Sequence, residues 1–305
     1  MNLATALNRK YLPYAGVMLY SFCVNNPGHV DAYILHHELE DLDLLALDDA
    51  LSCFDITIHS MQIDPEGFCN KMYTDKVWTV EAYYRLMLLD ILPEDVDRLF
   101  YFDVDLIINK NLRGLYELDF EGKDLVVCED DCGNCTPERY GPMHRKIFGA
   151  PEWKEYRYFN SGVMLMNIEK LRKEYSYEYY MDVAHKVWNY QMEAPDQDLL
   201  NYVHGKQVKY VPYEFYNLFG RIAHYSQIPV SMVREKVSII HYTWLKPWDG
   251  TATHYPLEQI WWDYARMISF YPSIAQKFIE DTISNNDADE KIRRLEELFR
   301  TGDPK

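Results

Sequence analysis

Positive charge is in short supply in this chain of 305 residues: 31 lysines and arginines face 48 aspartates and glutamates, a formal net charge of −17. A nucleic-acid partner is excluded on that balance, because phosphate binding rests on a basic surface. Electrostatic attachment to anionic lipid is disfavoured for the same reason. Long apolar runs are lacking too, and none reaches the length of a membrane-spanning helix. Six cysteines are too sparse for a disulfide framework in a chain of this size. Met1 to Lys10 has neither the basic segment, the apolar run nor the small-residue cleavage site of a secretory signal. We therefore expect a reduced, cytoplasmic protein. Internal repeats and low-complexity linkers are also absent, and the length suits one large domain or two modest ones.

Aromatic residues are plentiful, with 26 tyrosines and 7 tryptophans, which suits both core packing and sugar-stacking surfaces. The most informative stretch runs from Arg98 to Ile108, an apolar, β-branched and aromatic segment with Asp103 and Asp105 at its centre. Residues i and i+2 of a strand share a face, so an extended segment would project both carboxylates together. Two like charges so close require a cation, a shared proton or open water. Aspartates at the carboxyl end of a buried parallel strand also sit where open α/β sheets bind ligands.

Around this stretch the pattern alternates strand and helix. Strands are expected at 2–7, 30–35, 56–59, 125–128, 208–211 and 237–240, and helices over 14–25, 38–53, 78–92, 171–190 and 255–270. Such alternation indicates a mostly parallel sheet wrapped by helices. Asn160-Ser161-Gly162 interrupts a buried run and reads as a tight bend; Asp196 reads as a helix cap that leaves Gln197 without a structural task. Cys128, Cys132 and Cys135 lack the partner pair that structural zinc requires, so no metal is expected there. His241 follows a strand, and Lys246 stands five residues on within an aromatic loop, a pairing that suits a metal ligand beside a phosphate clamp. Beyond it, residues 290–300 carry Ile292, Leu295, Leu298 and Phe299 on one helical face, fit to dock on the body or a second subunit, or to make a weak peripheral contact at the inner face of a membrane.

Taken in order, these pieces resemble the retaining glycosyltransferases of family 8, which have the GT-A fold. The resemblance rests on Asn8 and Tyr11, Tyr84-Arg85-Leu86, Asp103-Val104-Asp105, Phe159-Asn160-Ser161-Gly162, the run Asp196 to Asn201, and His241 to Trp248. It implies a GT-A domain over 1–250 and a helical extension over 251–305. It further implies a Mn²⁺ ion held by Asp103, Asp105 and His241 together with the diphosphate of a UDP-sugar. Lys246 would contact the diphosphate, Arg85 the donor sugar, Asn8 and Tyr11 the uridine, with Val104 beside them. Asn160, Asp196 and Gln197 would line the sugar pocket, Gln197 nearest the anomeric carbon. The implied reaction moves glucose or galactose, with retention, onto a glycan or glycolipid acceptor of the cell envelope. A donor set of oxygens plus one imidazole suits Mn²⁺ better than Mg²⁺.

Two positions depart from the family pattern. Asn8 stands where aspartate is usual, and the loop from His241 to Lys246 is one residue shorter, with Thr243-Trp244-Leu245 in place of its glycine. A UDP-sugar or sugar-binding scaffold of weak or no turnover is the alternative that this loop suggests. A haloacid-dehalogenase-type phosphatase also carries Asp-x-Asp after a strand, but usually near the start of the chain and not a third of the way along it.

Overall fold

The computed structural model describes residues 1–64, 80–130, 148, 151–153, 157–189 and 194–284. Ten strands occur among them: β1 (Asn2–Ala6), β2 (Val30–His36), β3 (Ile56–Gln62), β4 (Leu99–Phe102), β5 (Leu106–Ile108), β6 (Leu125–Glu129), β7 (Phe159–Met166), β8 (Val208–Tyr210), β9 (Leu218–Phe219) and β10 (Ile239–His241). Seven form one sheet in the order β3-β2-β1-β4-β7-β6-β8, which makes β4 its central strand. Neighbours are parallel except where β7 runs antiparallel to β4 and β6. The remaining three form a small sheet, β5-β10-β9. The fold is thus mixed α/β with a mostly parallel sheet, as the alternating pattern leads one to expect.

Both faces of the large sheet are covered, which is why its strands read as unbroken apolar runs. Leu99 and Tyr101 enter one core with Tyr83, Tyr84, Leu171 and Leu199, while Phe100 and Phe102 enter another with Leu19 and Phe22. Helix α1 (Leu12–Asn25) and helix α2 (Asp41–Leu51) lie on the second face; α3 (Ile168–Glu174), α4 (Tyr177–Trp188) and α5 (Pro195–His204) serve the first. A third core forms beneath the small sheet, where Trp248 and Trp261 meet Tyr14, Ile107 and Ile240. Helix α6 (Gln259–Ala265) brings Trp261 to it, and α7 (Tyr271–Ser284) adds Ile274.

Several local expectations need correction. The 98–108 segment is two strands in two sheets: extended geometry ends at Phe102, and a turn at Val104-Asp105 redirects the chain into β5. The common-face argument for Asp103 and Asp105 therefore does not apply. Val80–Met87 is a 3₁₀ segment, with α-helical geometry only over Leu88–Ile91. The long helix expected after Leu171 is two helices, α3 and α4, restarted by the Ser176 side chain, which accepts from Tyr179 N. Asn160-Ser161-Gly162 is no bend but lies inside the unbroken strand β7. Residue 78, residue 190, the cysteines at 132 and 135, and the amphipathic segment 290–300 lie outside the described residues.

Candidate active site

Chain topology, more than local sequence, assembles the site. Strand β4 delivers Asp103 at its carboxyl end, where Asp103 N donates to Gly162 O of β7 at 2.9 Å. Strand β5 then pairs antiparallel with β10 in a register that sets Leu106 opposite His241. Tyr242 N donates to Asp105 O at 2.9 Å and extends that pairing. His241 is thereby held beside Asp105 although 136 residues separate them. Ligand atoms of Asp103, Asp105 and His241 all lie within 4.8 Å of one another, the one such grouping of metal-competent side chains among the described residues.

Gly162 explains why this corner has room. A Cβ there would lie 2.5 Å from Asp103 Oδ2 and 2.7 Å from His241 Cε1, both far inside contact distance. The glycine is needed for close approach rather than for a turn.

His241 has a fixed role as well. Its Nδ1 donates to Asn217 Oδ1 at 2.9 Å, and Asn217 Nδ2 donates in turn to Asn160 Oδ1 at 3.0 Å. That chain turns Nε2 towards Asp105 Oδ1 at 3.1 Å, the nitrogen that a cation between them would take as a ligand. An imidazole anchored through its other nitrogen is the usual arrangement of a metal-ligating histidine. Two carboxylates, this nitrogen and the space guarded by Gly162 fit a divalent cation.

Each aspartate also has a cation of its own. Arg85, 7% exposed, donates from Nη2 to Asp103 Oδ1 at 2.9 Å, pairs through Nε with Asp196 Oδ2 at 3.0 Å, and donates from Nη1 to Ser161 O at 2.8 Å. Its guanidinium lies 4.3 Å above the Tyr101 ring. Lys246 is ion-paired with Asp105 Oδ2. Burial would raise the Asp105 carboxyl, but Lys246 and His241 outweigh it and hold the group well below the usual carboxylate range. Asp196 behaves oppositely: burial pushes it up, aided by Asp103 and only partly opposed by Arg85.

Beside the metal-competent corner, the polar groups form a closed network. Gln197 Oε1 accepts from Ser161 N at 2.9 Å and Asn160 Nδ2 at 3.1 Å, and its Nε2 donates to Asp130 Oδ2 at 3.0 Å. Ser161 Oγ donates to Asp196 Oδ2 at 3.1 Å. Asp196 is no cap. That task falls to Asp198, whose Oδ2 accepts from Ala194 N at 2.8 Å while its Oδ1 accepts from the Tyr158 hydroxyl at 2.5 Å. So Asn160, Asp196 and Gln197 share one network with Arg85. Asp130 and Asn217 belong to the same network and were not anticipated. Asp130 had a faint signal, an acid just past the end of a buried strand; Asn217, within an undistinguished Tyr-Asn-Leu-Phe, had none.

A cleft of about 340 Å³ is lined by Asn8, Tyr11, Glu81, Arg85, Tyr101, Asp103, Val104, Asp105 and Lys246 among others, and Asn160, Asp196 and Gln197 are not on its lining. Asn8 Oδ1 is buried there without a hydrogen-bond partner, an acceptor awaiting a donor. Tyr11 stands edge-on to Trp248, with ring centroids 6.4 Å apart, and so ties the cleft lining to the loop after Lys246.

Residues 2–252 match the family described as glycosyl transferase family 8. The chain belongs to that family. A putative glycosyltransferase of Haemophilus influenzae is 26% identical over 215 residues, covering 70% of this chain and 62% of that protein. This family 8 chain thus spans less than two thirds of that relative's length. A lipopolysaccharide 1,2-glucosyltransferase of Escherichia coli is 24% identical over 262 residues, 83% of this chain and 74% of the other. Among solved structures, the galactosyltransferase LgtC in complex with donor and acceptor sugar analogues superposes with a TM-score of 0.74 at 22% identity, covering 88% of this chain and 96% of that one. The fold is of the GT-A type. No helix among the described residues is long and apolar enough to cross a membrane.

Proposed function

We propose that this family 8 chain is a Mn²⁺-dependent, retaining hexosyltransferase that moves glucose or galactose from a UDP-sugar to a glycan or glycolipid acceptor. The observation that carries the reading is the convergence of Asp103, Asp105 and His241 beside a cleft that the two aspartates line together with Asn8, Tyr11, Arg85 and Lys246. Relatives and structural neighbours named as glucosyl- and galactosyltransferases support a hexose donor.

Asn8 Oδ1, buried and unpartnered, is suited to accept the imide N–H of uracil, and the Tyr11 ring offers a face to the base. Breaking the sugar–phosphate bond leaves negative charge on the departing UDP and positive character on the ring. A bound divalent cation supplies Lewis-acid stabilisation of the first. Lys246 adds a second positive charge on the same side, poised by its pairing with Asp105. Asp196 and the amides of Asn160 and Gln197 face the other charge. Their mutual hydrogen bonds fix their orientation before substrate arrives, so little reorganisation is left for the reaction itself.

UDP release from a panel of UDP-sugars, with Mn²⁺ or with EDTA and with or without simple hexoside acceptors, tests the reading. Release from UDP-glucose or UDP-galactose that EDTA abolishes is expected. A chain that binds UDP and Mn²⁺ but turns over no donor would be the scaffold instead, and one that binds neither would refute the site.

A further inference from the structure

We propose that Glu81 reads the nucleotide half of the donor, its buried carboxylate accepting a hydrogen bond from a ribose hydroxyl. The inference rests on the donor reading above and deepens it by one contact.

Glu81 stands in the first turn of the 3₁₀ segment Val80–Met87, lines the cleft and is only 7% exposed. One of its oxygens, Oε1, lies 3.3 Å from His37 Nδ1. The other, Oε2, is buried without a hydrogen-bond partner. A buried acceptor left unpaired bears the full cost of its desolvation, so native folds keep few of them. Its fellow acids on the lining are compensated, Asp103 by Arg85 and Asp105 by Lys246. Glu81 Oε2 is the carboxylate oxygen of this cleft that a ligand can still satisfy.

An ionised carboxylate only accepts, so the ligand must bring an O–H or N–H group. The phosphates of a nucleoside diphosphate bring neither at neutral pH, and their charge repels Glu81. They belong at the other end of the cleft, and the topology provides that separation. His37 directly follows β2, Asp103 directly follows β4, and β1 lies between the two strands. Two strand spacings amount to about 10 Å. A diphosphate at the Asp103–Asp105 corner therefore sends its nucleoside across the end of β1, past Asn8, towards Glu81.

Counting hydrogen-bond donors selects the group that arrives there. Two acceptors on this lining are buried and unpartnered, Asn8 Oδ1 and Glu81 Oε2. Uridine offers one imide N–H, which Asn8 takes in the reading above, and the 2′ and 3′ hydroxyls of its ribose. The hexose hydroxyls fall to Asn160, Asp196 and Gln197, which are not on this lining. Ribose is the donor left for Glu81.

Calorimetric titration of the full chain with UDP, 2′-deoxy-UDP and 3′-deoxy-UDP in the presence of Mn²⁺ tests the proposal. At least one deoxy analogue is expected to bind wild type about tenfold more weakly than UDP, the loss of one hydrogen bond to a charged group. In Glu81→Ala that ratio is expected to fall to about threefold or less, and Glu81→Gln, which keeps an acceptor of the same shape, is expected to lie between. Wild type that binds both analogues as tightly as UDP overturns the proposal without recourse to any variant, and so does a ratio that Glu81→Ala leaves unchanged. A variant that alters the affinity of UDP-glucose or UDP-galactose relative to UDP, while the deoxy ratio holds, places a hexose hydroxyl on Glu81 and overturns the ribose assignment. Failure of the donor reading shows separately, as wild type that binds no UDP in the presence of Mn²⁺.

Discussion

Gly162 and Asp103 approach so closely that a Cβ on the glycine would sit 2.5 Å from the aspartate's Oδ2. Asp103 cannot simply swing away, because Arg85 holds its other oxygen at 2.9 Å. Gly162→Ala must therefore displace either this carboxylate or the His241 ring, which lies 2.7 Å from the same point. We expect Mn²⁺ affinity, read by electron paramagnetic resonance titration, to fall at least tenfold with far-UV circular dichroism unchanged. Equal Mn²⁺ affinity in the variant would show that the corner does not depend on this clearance.

The same residue marks how far the sequence could be read. Asn160-Ser161-Gly162 was conspicuous as a polar interruption of a buried run, yet glycine has two common uses, a turn or a close approach, and the string alone does not separate them. Likewise, Asp103 and Asp105 were legible as a pair of carboxylates, while the turn between them was not, because Val104 carries no turn signal. The parallel sheet was legible because both faces of β1, β2 and β4 are buried. The 3₁₀ segment over Val80–Met87 was not, since helical spacing of apolar residues suits both helix types over two turns. Asn217 could only be found in space: its value lies in touching His241, 24 residues away in sequence.

Arg85 supports a second prediction. It is the buried cation shared by Asp103 and Asp196, and removing one partner of a buried ionic group usually costs about 3–5 kcal/mol. Arg85→Met should lose stability on that scale at pH 7 in urea unfolding. The loss should shrink on acidification. Burial already pushes Asp196 up from its ordinary 3.8, and without Arg85 it rises further. A group whose folded pKa exceeds its unfolded value stabilises below the latter and loses that contribution as pH rises through the former. Variant and wild type should thus converge towards pH 4; parallel curves would mean that Asp196 is not the charge left uncompensated.

A buried cluster at the opposite end of β6 makes stability acid-sensitive. Asp124, fully buried, accepts from His204 Nδ1 at 2.9 Å and is ion-paired with Lys170, while the Tyr180 hydroxyl donates to His204 Nε2 at 2.9 Å. These bonds require the neutral ring, and burial lowers the His204 pKa from 6.5 despite Asp124. Asp124 also falls below its ordinary value, because His204 and Lys170 outweigh its burial. For both groups the unfolded chain takes up protons first on acidification, so stability is lost as pH falls, first below 6.5 through His204 and then below 3.8 through Asp124. Unfolding free energy should decline between pH 7 and 5, and His204→Asn should flatten that slope while lowering stability at pH 7. An unaltered slope would assign the acid sensitivity elsewhere.

Trp244 offers a stability test that is independent of any substrate. At φ +66°, glycine avoids the Cβ clash of left-handed geometry, and alanine does not. With 72% of the residue exposed, little burial is lost on removing the indole. Glycine's extra freedom in the unfolded chain takes back about 0.5–1 kcal/mol of the relief. Trp244→Gly should therefore match or exceed wild type by up to about 1 kcal/mol in urea unfolding, and Trp244→Ala, still strained, should not. Gly more stable than Ala is the ordering that the backbone geometry demands; the reverse would mean that position 244 relaxes out of the left-handed region in solution.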